Sequence, residues 1–255
     1  NQKMEEENDI DEGNIDLDKE YKQRQAKAIA ELVSKGAKYL TPGPEGLNKL
    51  SPKMLMILEN MKSSKGLIFI YSNFRSMEGV GIFAKVLEFN GYSKYGSNSD
   101  KPKYAVYSGM EDETYRNEVV NIFTSPENAT GKRIKVLMAT SAGAEGLDLK
   151  NIRQIHVMDP YWYESRIEQV IGRGVRRSSH VDLPEKDRNI EVYRYLSVYP
   201  QNASSKVGKL STDEHIDFNS KKKQKIIDEI LSVMKSSSID CKLNEPEIQG
   251  DYKCL

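Results

Sequence analysis

The sequence predicts an α/β fold, a parallel sheet sandwiched by helices with a helical extension at its C-terminal end. Two observations carry this. Five short apolar runs, LIFIY, KYAVYS, IKVLMA, QIHVMD and VYRYLSV, recur after Lys65-Gly66, and the segments between them place apolar residues at helical spacing. Strands that are apolar throughout bury both faces, and strands alternating with helices require the crossover connections of a parallel sheet.

Residues 1–20 hold nine acids and two bases and no helical apolar stripe, and read as an acidic linker or the tail of a preceding domain. Residues 21–64 form a helical lead-in. Ala28, Ile29, Leu32 and Val33 recur at helical spacing up to about Leu40, and TPGPEG then breaks the chain. Ser51 and Pro52 supply an N-cap and a first-turn proline for a helix carrying Met54, Leu55, Ile57, Leu58 and Met61. The sheet occupies residues 65–205, with helices expected near Met77 to Asn90, Asp112 to Phe123 and Ser165 to Arg176. Residues 206–255 form the extension, an amphipathic helix from Ser211 to Met234 expected to pack on the sheet through Ile226, Ile227, Ile230, Leu231 and Met234. Its Lys221-Lys222-Lys223 run reads as a solvated helix face, with a nucleic-acid contact as the alternative.

Composition narrows the classes. With 38% hydrophobic and 30% charged residues the chain reads as soluble, and no apolar run approaches the roughly 20 residues that cross a bilayer. No membrane partner or signal peptide is expected. The net charge is zero, but residues 21–255 carry 36 bases against 29 acids, a balance that suits a phosphate-backbone ligand. Cys241 and Cys254 form no CxxC pair and are expected to be reduced thiols. His156, His180 and His215 are scattered, so no metal site is expected. The first residue is Asn1 rather than Met, as in a fragment or processed product.

The densest cluster of chemistry is QVIGRGVRR, Gln169 to Arg177. A guanidinium is planar and permanently protonated, and it stabilises the charge that spreads over phosphate oxygens during nucleotide hydrolysis. Arg173 and Arg176, three apart on an expected helix, fall on one face. Gly172 is expected to let that helix approach a neighbouring surface, and Gln169 to bond a phosphate-coordinated water or an opposing lobe. Taken alone, the same pattern also describes a surface helix with weakly paired arginines. The loop Thr140 to Asp148 follows the strand IKVLMA, at the carboxyl edge where open α/β sheets bind ligands. Ser72, Asn73 and Arg75 follow LIFIY, where small polar groups and a helix N-terminus meet backbone phosphates, and where Ser72 or Asn73 serves equally as a helix cap. Ser108-Gly109, after the next strand, reads as a second such contact or as a strand-ending turn. Trp162, between Tyr161 and Tyr163, stands where an aromatic stacks on a base, although packing at the core rim is the expected role. His180 and Cys241 have no partner at catalytic spacing.

SAGAEGLDLKNIRQIHVMDPYW followed by QVIGRGVRR resembles motifs V and VI of superfamily 2 helicases, and residues from about Leu50 to Leu243 resemble their C-terminal RecA-like lobe. The flanking words EVYRYLSVY and SIDCKLN look most like the helicases of large nucleocytoplasmic DNA viruses, including the poxvirus-type transcription ATPases. The resemblance implies that Arg173 and Arg176 act as arginine fingers beside Gln169. It places Gly146, Asp148 and Gly172 on the nucleotide side, and Ser72, Asn73, Arg75, Ser108, Gly109, Thr140 and Ser141 on the backbone of a DNA or RNA single strand. It implies ATP and Mg²⁺, held mainly by an N-terminal RecA-like lobe of the same polypeptide. This chain has neither GxxxxGK[ST] nor DExx, so by itself it is expected not to hydrolyse ATP. Viral transcription machinery is an implied partner, and a cytoplasmic replication site or the virion an implied location. Two other activities fit the same motifs: a transcription-associated DNA-dependent ATPase that translocates without unwinding, and a non-enzymatic nucleic-acid-binding module.

Overall fold

The computed structural model describes residues 20–21, 23–77, 79–141, 147–200, 210–243 and 254. The acidic segment 1–19 and Gly146 lie outside the described residues. The lead-in consists of α1 (residues 23–34), α2 (Gly36–Tyr39), α3 (Leu47–Leu50) and α4 (Pro52–Lys62). Ser51 caps α4 by accepting from Met54 N, with Pro52 in the first turn. The remaining order is β1 (Leu67–Ser72), α5 (Val80–Phe89), β2 (Ser93–Lys94), β3 (Lys103–Tyr107), α6 (Glu113–Phe123), β4 (Val136–Thr140), β5 (Ile152–Val157), α7 (Glu164–Gly172), β6 (Glu191–Arg194) and α8 (Thr212–Ser236).

All six strands are parallel, in the order β2-β3-β4-β1-β5-β6. β1 lies at the centre and is buried at every position. Its pleat divides the core in two. Ile68 and Ile70 join Ile57, Leu58, Met61, Phe83 and Leu87 on the α4–α5 face, whereas Leu67, Phe69 and Tyr71 join Val119, Phe123, Ile167 and Val170 on the α6–α7 face. Each such side chain contributes about 1.5–3 kcal/mol of burial, which makes β1 the organising strand. The five apolar runs each supply a strand; β2 is a two-residue edge strand that no apolar run announces.

Four expectations need correction. α7 ends at Gly172, so Arg173 is its C-cap and Arg176 lies in the following turn, not on a shared helical face. The chain leaves the helix because Gly174 turns in against β5: a Cβ there would stand 3.0 Å from Ile155 Cδ1. Nothing lies within 4 Å of a Cβ built on Gly172, so the close-approach glycine is Gly174 and not Gly172. α8 is held at its start by a capping box of Ser211 and Glu214, but it lies beside α7 rather than on the sheet. Ile226, Ile227, Ile230, Leu231 and Met234 are exposed, since an amphipathic pattern states that a face is apolar and not what covers it. Finally, Cys241 and Cys254 form a disulfide, their Cα atoms 5.7 Å apart. Thirteen residues of sequence separation conceal that proximity.

Candidate nucleic-acid and nucleotide interface

The register of the central strands sets Tyr107, Ala139, Tyr71 and Val157 side by side, and pairs Ser72 with Thr140. Ser108, Thr140, Ser72 and Asp159 therefore occupy neighbouring positions along the carboxyl edge of the sheet. The hydroxyl of Ser72 is buried and donates to Asp159 Oδ2 at 2.5 Å, while Asn73 N donates to the same oxygen at 3.3 Å. Asn73 Oδ1 accepts from Tyr71 OH at 3.0 Å. Burial raises the Asp159 carboxyl above the usual range, against the opposing pull of the Ser72 hydrogen bond and Lys53.

Arg75 donates to Ser108 Oγ at 2.9 Å and to Glu111 Oε1 at 2.7 Å; Glu111 Oε2 also accepts from Ser108 N at 2.8 Å and from the Ser108 hydroxyl. Ser108 is buried and Gly109 exposed, with Thr140 buried and Ser141 half-buried. The first amides of α5 donate inward, Val80 N to Phe74 O, Gly81 N to Arg75 O and Ile82 N to Ser76 O. Gly79 permits this fold-back, for a Cβ there would stand 1.9 Å from Phe74 O. At this edge the buried hydroxyls shape the loops, and Asn73, Phe74, Arg75 and Gly109 present the surface.

The remaining candidates gather at the other end of β5. Leu149 N donates to Arg173 O at 3.2 Å and Asn151 N to Ser179 O at 2.8 Å, so the turn after α7 runs beside the residues entering β5. Arg176 Nη1 meets Asp148 Oδ1 at 2.9 Å, and its Nε donates to Gly172 O at 3.3 Å. Arg173 Nη1 donates to Leu147 O at 3.3 Å. Gln169 is exposed on the last turn of α7. His180, with no partner in sequence, bonds Ser179 Oγ and Ile152 O and pins this turn to β5. β5 has six residues, so its ends stand about 17 Å apart at 3.3 Å per residue. The structure thus brings Gln169, Gly172, Arg173, Arg176 and Asp148 together, and separates them from Ser72, Asn73, Arg75, Ser108, Gly109, Thr140 and Ser141.

Residues 50–178 match the model of the helicase conserved C-terminal domain. The chain belongs to that family. A mimivirus protein (Acanthamoeba polyphaga mimivirus) named as an ATP-dependent RNA helicase is 36% identical over 211 residues, covering 80% of this chain and 26% of its own length. A second mimivirus protein named in the same way is 36% identical over 198 residues, covering 77% of this chain and 34% of its own. A termination factor NPH-I homolog of African swine fever virus is 28% identical, covering 80% of this chain and 34% of its own. The helicase C-terminal domain and its flanks therefore span between about a quarter and a third of these relatives. Among the described residues no helix is long and apolar enough to cross a membrane.

Sequence reasoning missed the residues that hold the edge together. Asp159 closes the β1 loop, Glu111 the β3 loop, and Lys53 lies 2.6 Å from Asp213 and 3.8 Å from Asp159. Burial works to raise the Asp213 carboxyl, but hydrogen bonds from Lys53 and Ser197 outweigh it and hold it below the usual range. Glu111, three residues after Ser108, had a local signal; Lys53 and Asp213, 160 residues apart, had none.

Proposed function

We propose that this chain is the second motor lobe of an ATP-dependent nucleic-acid helicase or translocase, closing on a partner lobe of the same polypeptide. The observation that supports it best is the Asp148–Arg176 pair beside Arg173. Both side chains are about half exposed, at 60% and 49%, so the pair is weakly held in water. Its guanidinium exchanges Asp148 for a doubly charged phosphate oxygen set at little cost, and the fork geometry favours the exchange. Arg173, resting on Leu147 O, and Gln169, exposed one turn away, are proposed to complete the face that meets the partner lobe. ATP supplies the hydrolysable phosphate and Mg²⁺ the neutralising charge, both carried mainly by the partner lobe; this lobe alone is proposed to be inactive. Asn73, Arg75 and Gly109, with Ser72, Ser108, Thr140 and Ser141 behind them, are proposed to follow the backbone of a DNA or RNA strand. The viral relatives support a cytoplasmic replication site or the virion as the place of action.

The African swine fever virus relative, named as a termination factor homolog, favours a second reading: a transcription-associated ATPase that moves along DNA without separating it, working with viral transcription machinery. ATP hydrolysis by the full-length polypeptide, with and without single-stranded DNA or RNA, tests both readings. Arg176→Ala is expected to lower strand-stimulated turnover about 10³-fold or more. Unchanged turnover would refute the finger assignment, and strand separation on a tailed duplex distinguishes a helicase from a translocase.

A further inference from the structure

Trp162 and Tyr163 follow the carboxyl end of β5, three and four residues beyond Asp159, and remain 46% and 52% exposed, whereas Tyr161 packs on the core. This overturns the expectation that Trp162 packs at the core rim. The two rings are attended by a cation from a distant element: Lys223 of α8 places its Nζ 4.4 Å from the Tyr163 ring centre and 5.7 Å from that of Trp162. The adjoining carboxylates are already matched, Glu164 by Arg194 and Asp217 by Arg194 and Lys221. Lys223 therefore leaves a positive charge beside two half-exposed rings, with the exposed Lys222 next to it in α8. That surface borders the Ser72–Asp159 edge, because α8 begins at the Lys53–Asp213 contact and runs from there past Tyr163.

We propose that Trp162, Tyr163 and Lys223 form a composite single-strand site, in which the rings take a base and the α8 lysines take the neighbouring phosphate. An aromatic face without hydrogen-bonding groups accepts any base, and a cation held over the rings is already positioned for the backbone. Charge selects the occupant, since a polyanion with π faces complements both halves of the patch. The C-terminal helix is thus part of the strand track. The site rests on the nucleic-acid reading proposed above.

Trp162 is the sole tryptophan of the chain, so its own fluorescence reports the contact. Oligothymidylate, oligouridylate and an abasic deoxyribose-phosphate oligomer of equal length are titrated at low salt, with anisotropy of labelled strands followed in parallel. Expected are quenching by the two base-bearing strands and not by the abasic one, and roughly tenfold weaker oligothymidylate binding for Trp162→Ala and for Tyr163→Ala. Lys223→Gln is expected to weaken all three strands alike and to lower the salt slope by about one. These side chains are exposed, and unchanged thermal melts confirm that the variants fold. Strands that bind by anisotropy with flat Trp162 fluorescence, or that bind Trp162→Ala as well as wild type, overturn the site and leave the proposed function standing. A wild-type chain that binds no strand overturns the site together with the strand contacts proposed for this lobe, and leaves the finger assignment to the turnover assay.

Discussion

Replacing Lys53 by methionine removes the cation shared by Asp159 and Asp213. Lys53, Asp159 and Asp213 have side chains only 17%, 10% and 21% exposed, and the ammonium lies 2.6 Å from Asp213 and 3.8 Å from Asp159. Breaking such a pair costs about 3–5 kcal/mol, because it strands the remaining charge in poor solvent. Asp213 retains the Ser197 amide and Asp159 retains Ser72 and Asn73, so the lower figure of about 3 kcal/mol applies. For a domain of 150–250 residues this is a fall in Tm of about 6–12 °C. Thermal unfolding followed by circular dichroism at neutral pH measures it. Lys53→Arg is expected to keep most of the stability, and adding Asp159→Asn to Lys53→Met to recover part of the loss, because the repelling carboxylate is gone. A fall of less than about 2 °C would mean that Lys53 is effectively solvated and that the network carries little energy.

Two further outcomes follow from burial and close contact. His156 is fully buried between Tyr195 OH and Gln154 Oε1, and burial depresses its pKa to about 4. Its neutral form is the folded form, so the stability it contributes is complete above the unfolded value of about 6.5 and is lost as pH falls toward 4, about 3 kcal/mol across that window. Urea unfolding at a series of pH values is expected to show a shallower acid loss for His156→Gln than for wild type; parallel slopes would exclude the histidine as the cause. Gly172→Ala and Gly79→Ala are expected to differ in sign. A Cβ on Gly172 meets nothing within 4 Å at the end of a helix and stabilises by about 0.5–1 kcal/mol, whereas one on Gly79 collides with Phe74 O at 1.9 Å and costs about 3 kcal/mol. Equal denaturant midpoints for the two variants would contradict this packing.

The helices and strands were legible to differing depths. The apolar runs located all the long strands because a strand buried on both faces has no polar positions to interrupt it. β2 escaped because two residues of a half-exposed edge strand carry no pattern. The expected helix from Ser165 to Arg176 ran four residues too long at its C-terminal end, since Ile167, Val170 and Ile171 keep a helical period up to the point where Gly174 meets β5.

What the sequence determined by itself was the parallel α/β layering and the identity of the GLD and QxxGRxxR segments, because burial pattern and guanidinium spacing are properties of contiguous residues. The tertiary structure alone decided that the candidate residues fall into two groups at opposite ends of β5, that Lys53 joins Asp159 to Asp213, that Lys223 reaches Trp162 and Tyr163, and that Cys241 meets Cys254. Each of these joins residues from separate segments of the chain. Their distances are set by how strands register and where helices turn, and no local spacing in the chain encodes them.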